Sequence, residues 1–125
     1  MDFGITRDDI RKLPDNGVFT FLISNACNTG NYLYGESFTE SWLRHPSGAI
    51  FTWGSMDLSY WDEDDVLERK LFEGLFRENN RSFSDVTNEA LSELWKHYGG
   101  KGLSRYYWET YVSLGEPSLG FSMER

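Results

Sequence analysis

Cys27 is the single cysteine of the chain, and its neighbours put it where a sulfur can act. It closes the apolar run Val18-Phe19-Thr20-Phe21-Leu22-Ile23-Ser24-Asn25-Ala26 and opens onto Asn28-Thr29-Gly30-Asn31. A strand that stops at a thiol and turns through Asn and Gly delivers that thiol to the carboxyl end of a sheet. In open α/β folds this is the edge where ligands and reacting groups gather. A thiolate there is a nucleophile once a base or a helix N-terminus activates it. The same position also suits an inert, small buried hydrophobe, so the partners decide. The usual partner is histidine, and the chain has two, His45 and His97. His45 precedes Pro46 at the far end of the helix expected after Cys27, which a strand–helix–strand unit carries to the opposite edge of the sheet. His97 ends an amphipathic helix, where a cation suits the helix dipole. Neither spacing makes a self-contained Cys–His pair.

The elements that would position Cys27 are legible in the pattern. Thr6 and Asp9 form a capping box for a short helix over residues 6–13. Pro14-Asp15-Asn16-Gly17 is a turn. The apolar run that follows is nearly continuous, as in a strand covered on both sides. Ser37-Phe38-Thr39-Glu40 opens a helix with Phe38, Trp42 and Leu43 inward and Arg44 outward, ended by His45-Pro46-Ser47-Gly48. Ala49-Ile50-Phe51-Thr52-Trp53 reads as a second strand, stopped by Gly54-Ser55. Strand, helix and strand in this order are the βαβ pattern of a parallel sheet. After a second aromatic loop, Val66, Leu67, Leu71, Leu75 and Phe76 recur at helical spacing behind Asp62-Glu63-Asp64-Asp65. Acidic residues there complement the positive end of the helix dipole. Four in a row lack the alternating spacing of a calcium loop. Residues 79–84 read as a polar loop. Val86, Ala90, Leu91, Leu94 and Trp95 mark a further helix ended by Gly99-Gly100, residues 103–111 another helical turn or two, and residues 114–119 a closing turn.

Composition bounds what such a domain does. The chain has 125 residues and a formal charge of -8, so no basic stripe awaits nucleic acid. No apolar run approaches the ~20 residues that span a bilayer. Five Trp, seven Tyr and nine Phe can fill a core and can also line a cleft. One cysteine forms no internal disulfide, and no Cys/His cluster has the spacing of a structural zinc site. No cofactor is expected.

Four segments, in order, resemble the C-terminal part of the catalytic domain of gingipain-type cysteine peptidases, peptidase family C25. Asn25-Ala26-Cys27-Asn28-Thr29-Gly30 is similar to the family's strand-terminal Ala-Cys-x-x-Gly. Ser37-Phe38-Thr39-Glu40-Ser41-Trp42-Leu43-Arg44 is similar to its Phe-x-Glu-x-x-x-Arg helix. Gly48-Ala49-Ile50 leads to Gly54-Ser55 and then Trp61. Leu114-Gly115-Glu116-Pro117-Ser118-Leu119 is close to the family's Gly-Asp-Pro-Ser-Leu.

The resemblance implies a caspase-like three-layer α/β/α sandwich, incomplete here, with few parallel strands and flanking helices. It implies residues 1–125 as a partial peptidase domain with Cys27 as nucleophile. The Cys27 amide would help to bind the oxyanion, and Ser55, Met56 and Trp61 would flank the pocket for the substrate side chain. The implied partner is a peptide or protein substrate. Relatives of the family are commonly secreted or surface proteins of bacteria. The family's histidine lies in a His-Gly segment upstream of the cysteine, and no His precedes Cys27 here. The expectation is therefore a domain fragment whose base comes from an upstream segment or a second chain. The alternative is a non-catalytic caspase-like module that binds a peptide or protein.

Overall fold

A computed structural model describes residues 4–77 and 81–121. The chain order is α1 (Arg7–Arg11), β1 (Thr20–Ser24), α2 (Phe38–Arg44), β2 (Ala49–Ser55) and α3 (Trp61–Arg77). Then come β3 (Arg81–Ser82), α4 (Phe83–His97), α5 (Ser104–Thr110), β4 (Tyr111–Gly115) and β5 (Gly120–Phe121). The three-stranded sheet has the order β1-β2-β4, and β3 pairs with β5 apart from it. β1 runs parallel to β2, with Ile23 beside Trp53 and Ser24 beside Gly54. β4 runs antiparallel to β2, with Ser55 beside Tyr111.

Side chains of β2 alternate between two layers, as the period of a strand demands. Phe51 and Trp53 enter the core formed with Leu67, Leu71, Val86, Leu94 and Tyr107 from α3, α4 and α5. Thr52 and Gly54 face the other way, toward α2. The middle strand is thus the one covered on both sides. This corrects the expectation for the run before Cys27. β1 is an edge strand, with Phe21 at 40% exposure and Val18 and Phe19 just before it at 65% and 59%, because β2 is its one sheet partner among the described residues. Its apolar run is tied to the core at Ile23 and at Phe21, whose ring sits 4.9 Å from that of Phe83.

Two helices start where the expected capping boxes place them, and a third start, at Ser82, falls inside the stretch expected as a loop. Thr6 with Asp9, Ser37 with Glu40 and Ser82 with Asp85 each form the reciprocal capping box, which satisfies two orphan amide donors per helix. The expected inward face of α2 is different. Thr39 and Ser41 are buried, whereas Phe38 and Trp42 are half-buried. The cause is close approach: a Cβ on Gly54 would lie 3.3 Å from Thr39 Cγ2, so only a small side chain fits between α2 and β2. Phe76 and Trp95, expected in the core, are 60% and 41% exposed. Phe76 stacks on Phe72 at 6.1 Å, and Trp95 folds over Gly100 at the helix end. In the expected loop over 79–84, residues 79 and 80 lie outside the described residues, while Arg81–Ser82 form β3 and Phe83 begins α4.

β4 is the element the periodicity does not announce. It follows α5 without a loop, so aromatic spacing reads as one helix through Tyr111. Gly115 ends it at φ +99°, where an added Cβ would lie 2.3 Å from Ile50 O. Glycine alone tolerates both the angle and the contact.

These burials separate two tryptophans. Trp53 is 1% exposed, so Trp53→Ala should lose about 3–5 kcal/mol of unfolding free energy. Trp42→Ala, on a half-buried ring, should lose clearly less. Urea unfolding of both variants checks the order, and equal losses would contradict this packing.

Candidate functional site

The turn after β1 is built by backbone bonds to the end of β2. Asn28 takes the left-handed conformation, φ +60°, which Asn tolerates better than most residues. Its amide donates to Asp57 O at 2.9 Å, and the Gly30 amide donates to Ser55 O at 2.9 Å. The Thr29 hydroxyl donates to Ala26 O at 3.0 Å and closes the turn from within. The Thr29 carbonyl accepts the Thr39 amide at 3.1 Å, which joins the turn to α2. Gly30 and Gly54 make this possible. A Cβ on Gly30 would lie 3.0 Å from Gly54 O, and one on Gly54 would lie 2.9 Å from Thr29 Oγ1.

Cys27 projects from this turn and is exposed. Its sulfur lies against one residue of the loop after β2. The Ser59 amide donates to Sγ at 3.2 Å. Ser59 O and Oγ lie at 3.5 and 3.6 Å from it. Among the described residues, the Cys27 amide makes no hydrogen bond, so a donor beside the sulfur is unengaged. Cys27, Ser59, Trp61, Asp64, Asp65 and Glu68 line one cleft of about 440 Å³. Trp61, at the start of α3, is 93% exposed and forms a free-standing wall.

Ser55 and Met56, expected beside the pocket, stand behind it. Ser55 is fully buried and its hydroxyl donates to Asp57 O at 2.9 Å. The Met56 amide donates to Thr110 O at 2.8 Å, fastening the loop to the end of α5. Neither lines the cleft. They shape the loop that does.

The histidines are engaged elsewhere. His45 Nε2 donates to Leu13 O at 2.9 Å, and Nδ1 accepts the Ser47 amide at 3.1 Å. This ring therefore clasps the segment before β1 to the end of α2. His97 packs edge-on against Tyr98 at the end of α4. Among the described residues, the hydrogen-bond contacts of Cys27 Sγ are those with Ser59.

Sequence reading missed two groups. The first is the acidic start of α3. Asp64, Asp65 and Glu68 belong to the cleft as well as to the helix dipole. Asp65 pairs with Arg69, one turn along, and among the described residues Glu68 has no partner. The signal was the run itself, placed just after an exposed tryptophan. The second is a tyrosine cluster beneath the loop. Tyr107 and Tyr111 are buried and converge on Asp64 Oδ1 at 2.9 and 2.8 Å. Burial pushes both phenols well above their ordinary range, and the Asp64 carboxylate adds to the shift. Both therefore remain hydroxyl donors throughout the working pH range. Among the described residues, no three His, Cys, Asp or Glu side chains are grouped to hold a metal ion.

Comparison with known proteins gives two findings. The sequence profile of peptidase family C25 matches residues 2–122. The crystal structure of gingipain R, an Arg-specific cysteine proteinase, superposes with a TM-score of 0.82 at 22% identity. The match covers 91% of this chain and 28% of that one, so the chain spans under a third of the length of that structure. No curated protein matches. The fold is thus mixed α/β and matches the caspase-like fold of gingipain R; in this chain one strand of the sheet, β4, runs antiparallel.

The contact between the turn and β2 is testable. Gly54→Ala places a methyl against Thr29 Oγ1 and should cost about 1–3 kcal/mol by overpacking. Combining it with Thr29→Ala, which removes that oxygen, should cost less than the sum of the two single changes. Additive losses in a denaturant double-mutant cycle would mean that the two residues do not meet.

Proposed function

Because the chain belongs to peptidase family C25, we propose that it forms the nucleophile-bearing part of a cysteine endopeptidase. In this reading residues 1–125 are part of a larger catalytic domain and Cys27 attacks the scissile carbonyl. The observation that carries it is the arrangement around Cys27. The one thiol of the chain is exposed at the carboxyl end of β1, on a turn with an open amide, at the mouth of a cleft.

The chemistry follows from that geometry. The Cys27 thiolate adds to the carbonyl carbon, and the carbonyl π pair moves to oxygen. The open Cys27 amide donates to that oxyanion, an interaction stronger in the transition state than in the ground state. Collapse expels the amine, which must receive a proton, and leaves a thioester that water hydrolyses to release the acid and the thiol. Both steps require a general acid–base. The two histidines of the chain make their contacts elsewhere, so we assign that group to an upstream segment or a second chain that completes the site.

The cleft suggests the substrate side chain. An exposed indole suits the stem of a long side chain, and the Asp65 and Glu68 carboxylates favour a cationic head. The substrate class we assign is a peptide or protein with Arg or Lys before the cleaved bond, the specificity for Arg stated for gingipain R.

A fluorogenic peptide assay tests this reading. The purified chain alone should hydrolyse Arg or Lys substrates marginally. Adding a segment that bears the missing base should raise the rate roughly 10²–10⁴-fold, and Cys27→Ser should abolish the gain. Robust turnover by the chain alone, lost in His45→Ala or His97→Ala, would show that the base has been misplaced. A complex that binds such peptides but never cleaves them, even with the base supplied, would make the chain a binding module.

A further inference from the structure

We propose that Tyr106, Tyr107 and Tyr111, with Asp64, are positioning residues that strap down the loop after β2 so that the Ser59 amide meets the Cys27 sulfur. This loop has no regular structure of its own between β2 and α3, yet it supplies the hydrogen-bond donor at 3.2 Å from Sγ. Loops without such ties open locally at little cost. Here successive ties come from one short stretch of chain. The Tyr106 hydroxyl donates to Leu58 O at 3.0 Å. The Tyr107 hydroxyl accepts the Tyr60 amide at 2.8 Å and donates to Asp64 Oδ1 at 2.9 Å. The Tyr111 hydroxyl donates to the same Oδ1 at 2.8 Å. The carbonyl of Leu58 and the amide of Tyr60, on either side of Ser59, are therefore both held by tyrosines.

The arrangement has the marks of a built device rather than of incidental packing. Rings alone would fill the core beneath the loop, and Phe would serve. Three hydroxyls instead find backbone or carboxylate partners, and the two on the buried rings of Tyr107 and Tyr111 require them. Asp64 also belongs to the first turn of α3, its amide donating to Tyr60 O at 2.8 Å. The start of the helix, the loop and α5 are thus locked around one oxygen atom. A donor held against the sulfur fixes where that sulfur sits, so the strap would act on Cys27 through Ser59 without touching substrate. The charged and titratable groups around the thiol region are Asp64, Asp65 and Glu68 from α3, Asp57 and Tyr60 from the loop, Tyr106 from α5 and Tyr111 from β4.

The catalytic meaning of this device rests on Cys27 being the nucleophile. The test reads the thiol and the amide directly, so its failure is distinct from a failure to cleave peptides. Hydrogen exchange at the Ser59 amide and the iodoacetamide alkylation rate of Cys27 are measured in variants whose unfolding temperatures show that they fold. In Tyr107→Phe and Tyr111→Phe, Ser59 exchange should accelerate roughly tenfold, the scale of one net hydrogen bond lost from the closed loop. Cys27 alkylation should slow several-fold. Asp64→Ala should reproduce both effects, whereas Asp64→Asn, which keeps an oxygen to accept both hydroxyls, should restore both readouts. Cys27→Ala should deprotect the Ser59 amide in the parent chain and add nothing in Tyr107→Phe. If the buried variants do not fold, Tyr106→Phe, which leaves Asp64 fully bonded, should still accelerate Ser59 exchange. Unchanged exchange and alkylation in the folded variants would overturn the proposal. So would Asp64→Asn behaving like Asp64→Ala, because charge rather than hydrogen bonding would then be acting.

Discussion

A strand buried on both faces leaves no room for adjustment, and β2 imposes that constraint on everything around Cys27. Its Phe51 and Trp53 are fixed in the core with α3, α4 and α5, while its other face lies within contact of α2 and the turn after β1. Close packing makes each of these distances sensitive to single methyl groups. Gly30, Gly54 and Thr29 are small because the turn sits directly on the end of the strand. The left-handed Asn28 and the bonds to Ser55 O and Asp57 O follow from the same proximity. The thiol owes its place to a neighbouring strand more than to its own, since β1 is an exposed edge.

The opposite side of the site has a different logic. The loop from Met56 to Tyr60 carries little apolar surface inward, so hydrophobic burial cannot hold it. Backbone bonds to Thr110 and Asn28 hold its near end, and tyrosine hydroxyls hold the stretch around Ser59, two of them on buried rings. A phenol taken out of water without a partner would cost stability, and this makes the convergence on Asp64 selective: other loop positions would leave a hydroxyl unpaired. Aromatic enrichment in the composition thus has two outlets. Trp53, Phe51 and Phe83 fill the core; Tyr106, Tyr107 and Tyr111 hold a loop; and Trp61 stands in solvent at the cleft.

Much of the fold was legible because local rules agreed with the global structure. The capping boxes at Thr6 and Ser37 mark true helix starts, and the βαβ order from β1 to β2 is the parallel pair seen here. What stayed hidden depends on contacts between distant residues. The inward face of α2 could not be read from hydrophobicity, because Gly54 admits Thr39 and excludes a large side chain. β4 was hidden by its direct junction with α5. At the site, Cys27 and Trp61 stood out as residue types in suggestive places. Ser59 did not, since it acts through its backbone, and no residue type announces a backbone donor. Asp64 was read for its charge near a helix end, whereas its role comes from two phenols more than 40 positions away along the chain.

These features assign different tasks to different parts of the site. The thiol, its backbone amide and the cleft wall come from two neighbouring stretches of chain at one edge of the sheet, both referenced to β2. Such a site can be ordered before any base is present, because none of its bonds involves a histidine. Orientation and proton transfer are separable contributions to acyl transfer, and under the proposed reading they would come from different parts of the domain. His45 illustrates the point by contrast. Both its ring nitrogens are occupied in tying the segment before β1 to the end of α2, so freeing it for catalysis would loosen the support of the nucleophile strand. In the proposed reading, a base supplied from elsewhere meets a thiol already aimed, and its arrival adds proton transfer without rebuilding the cleft.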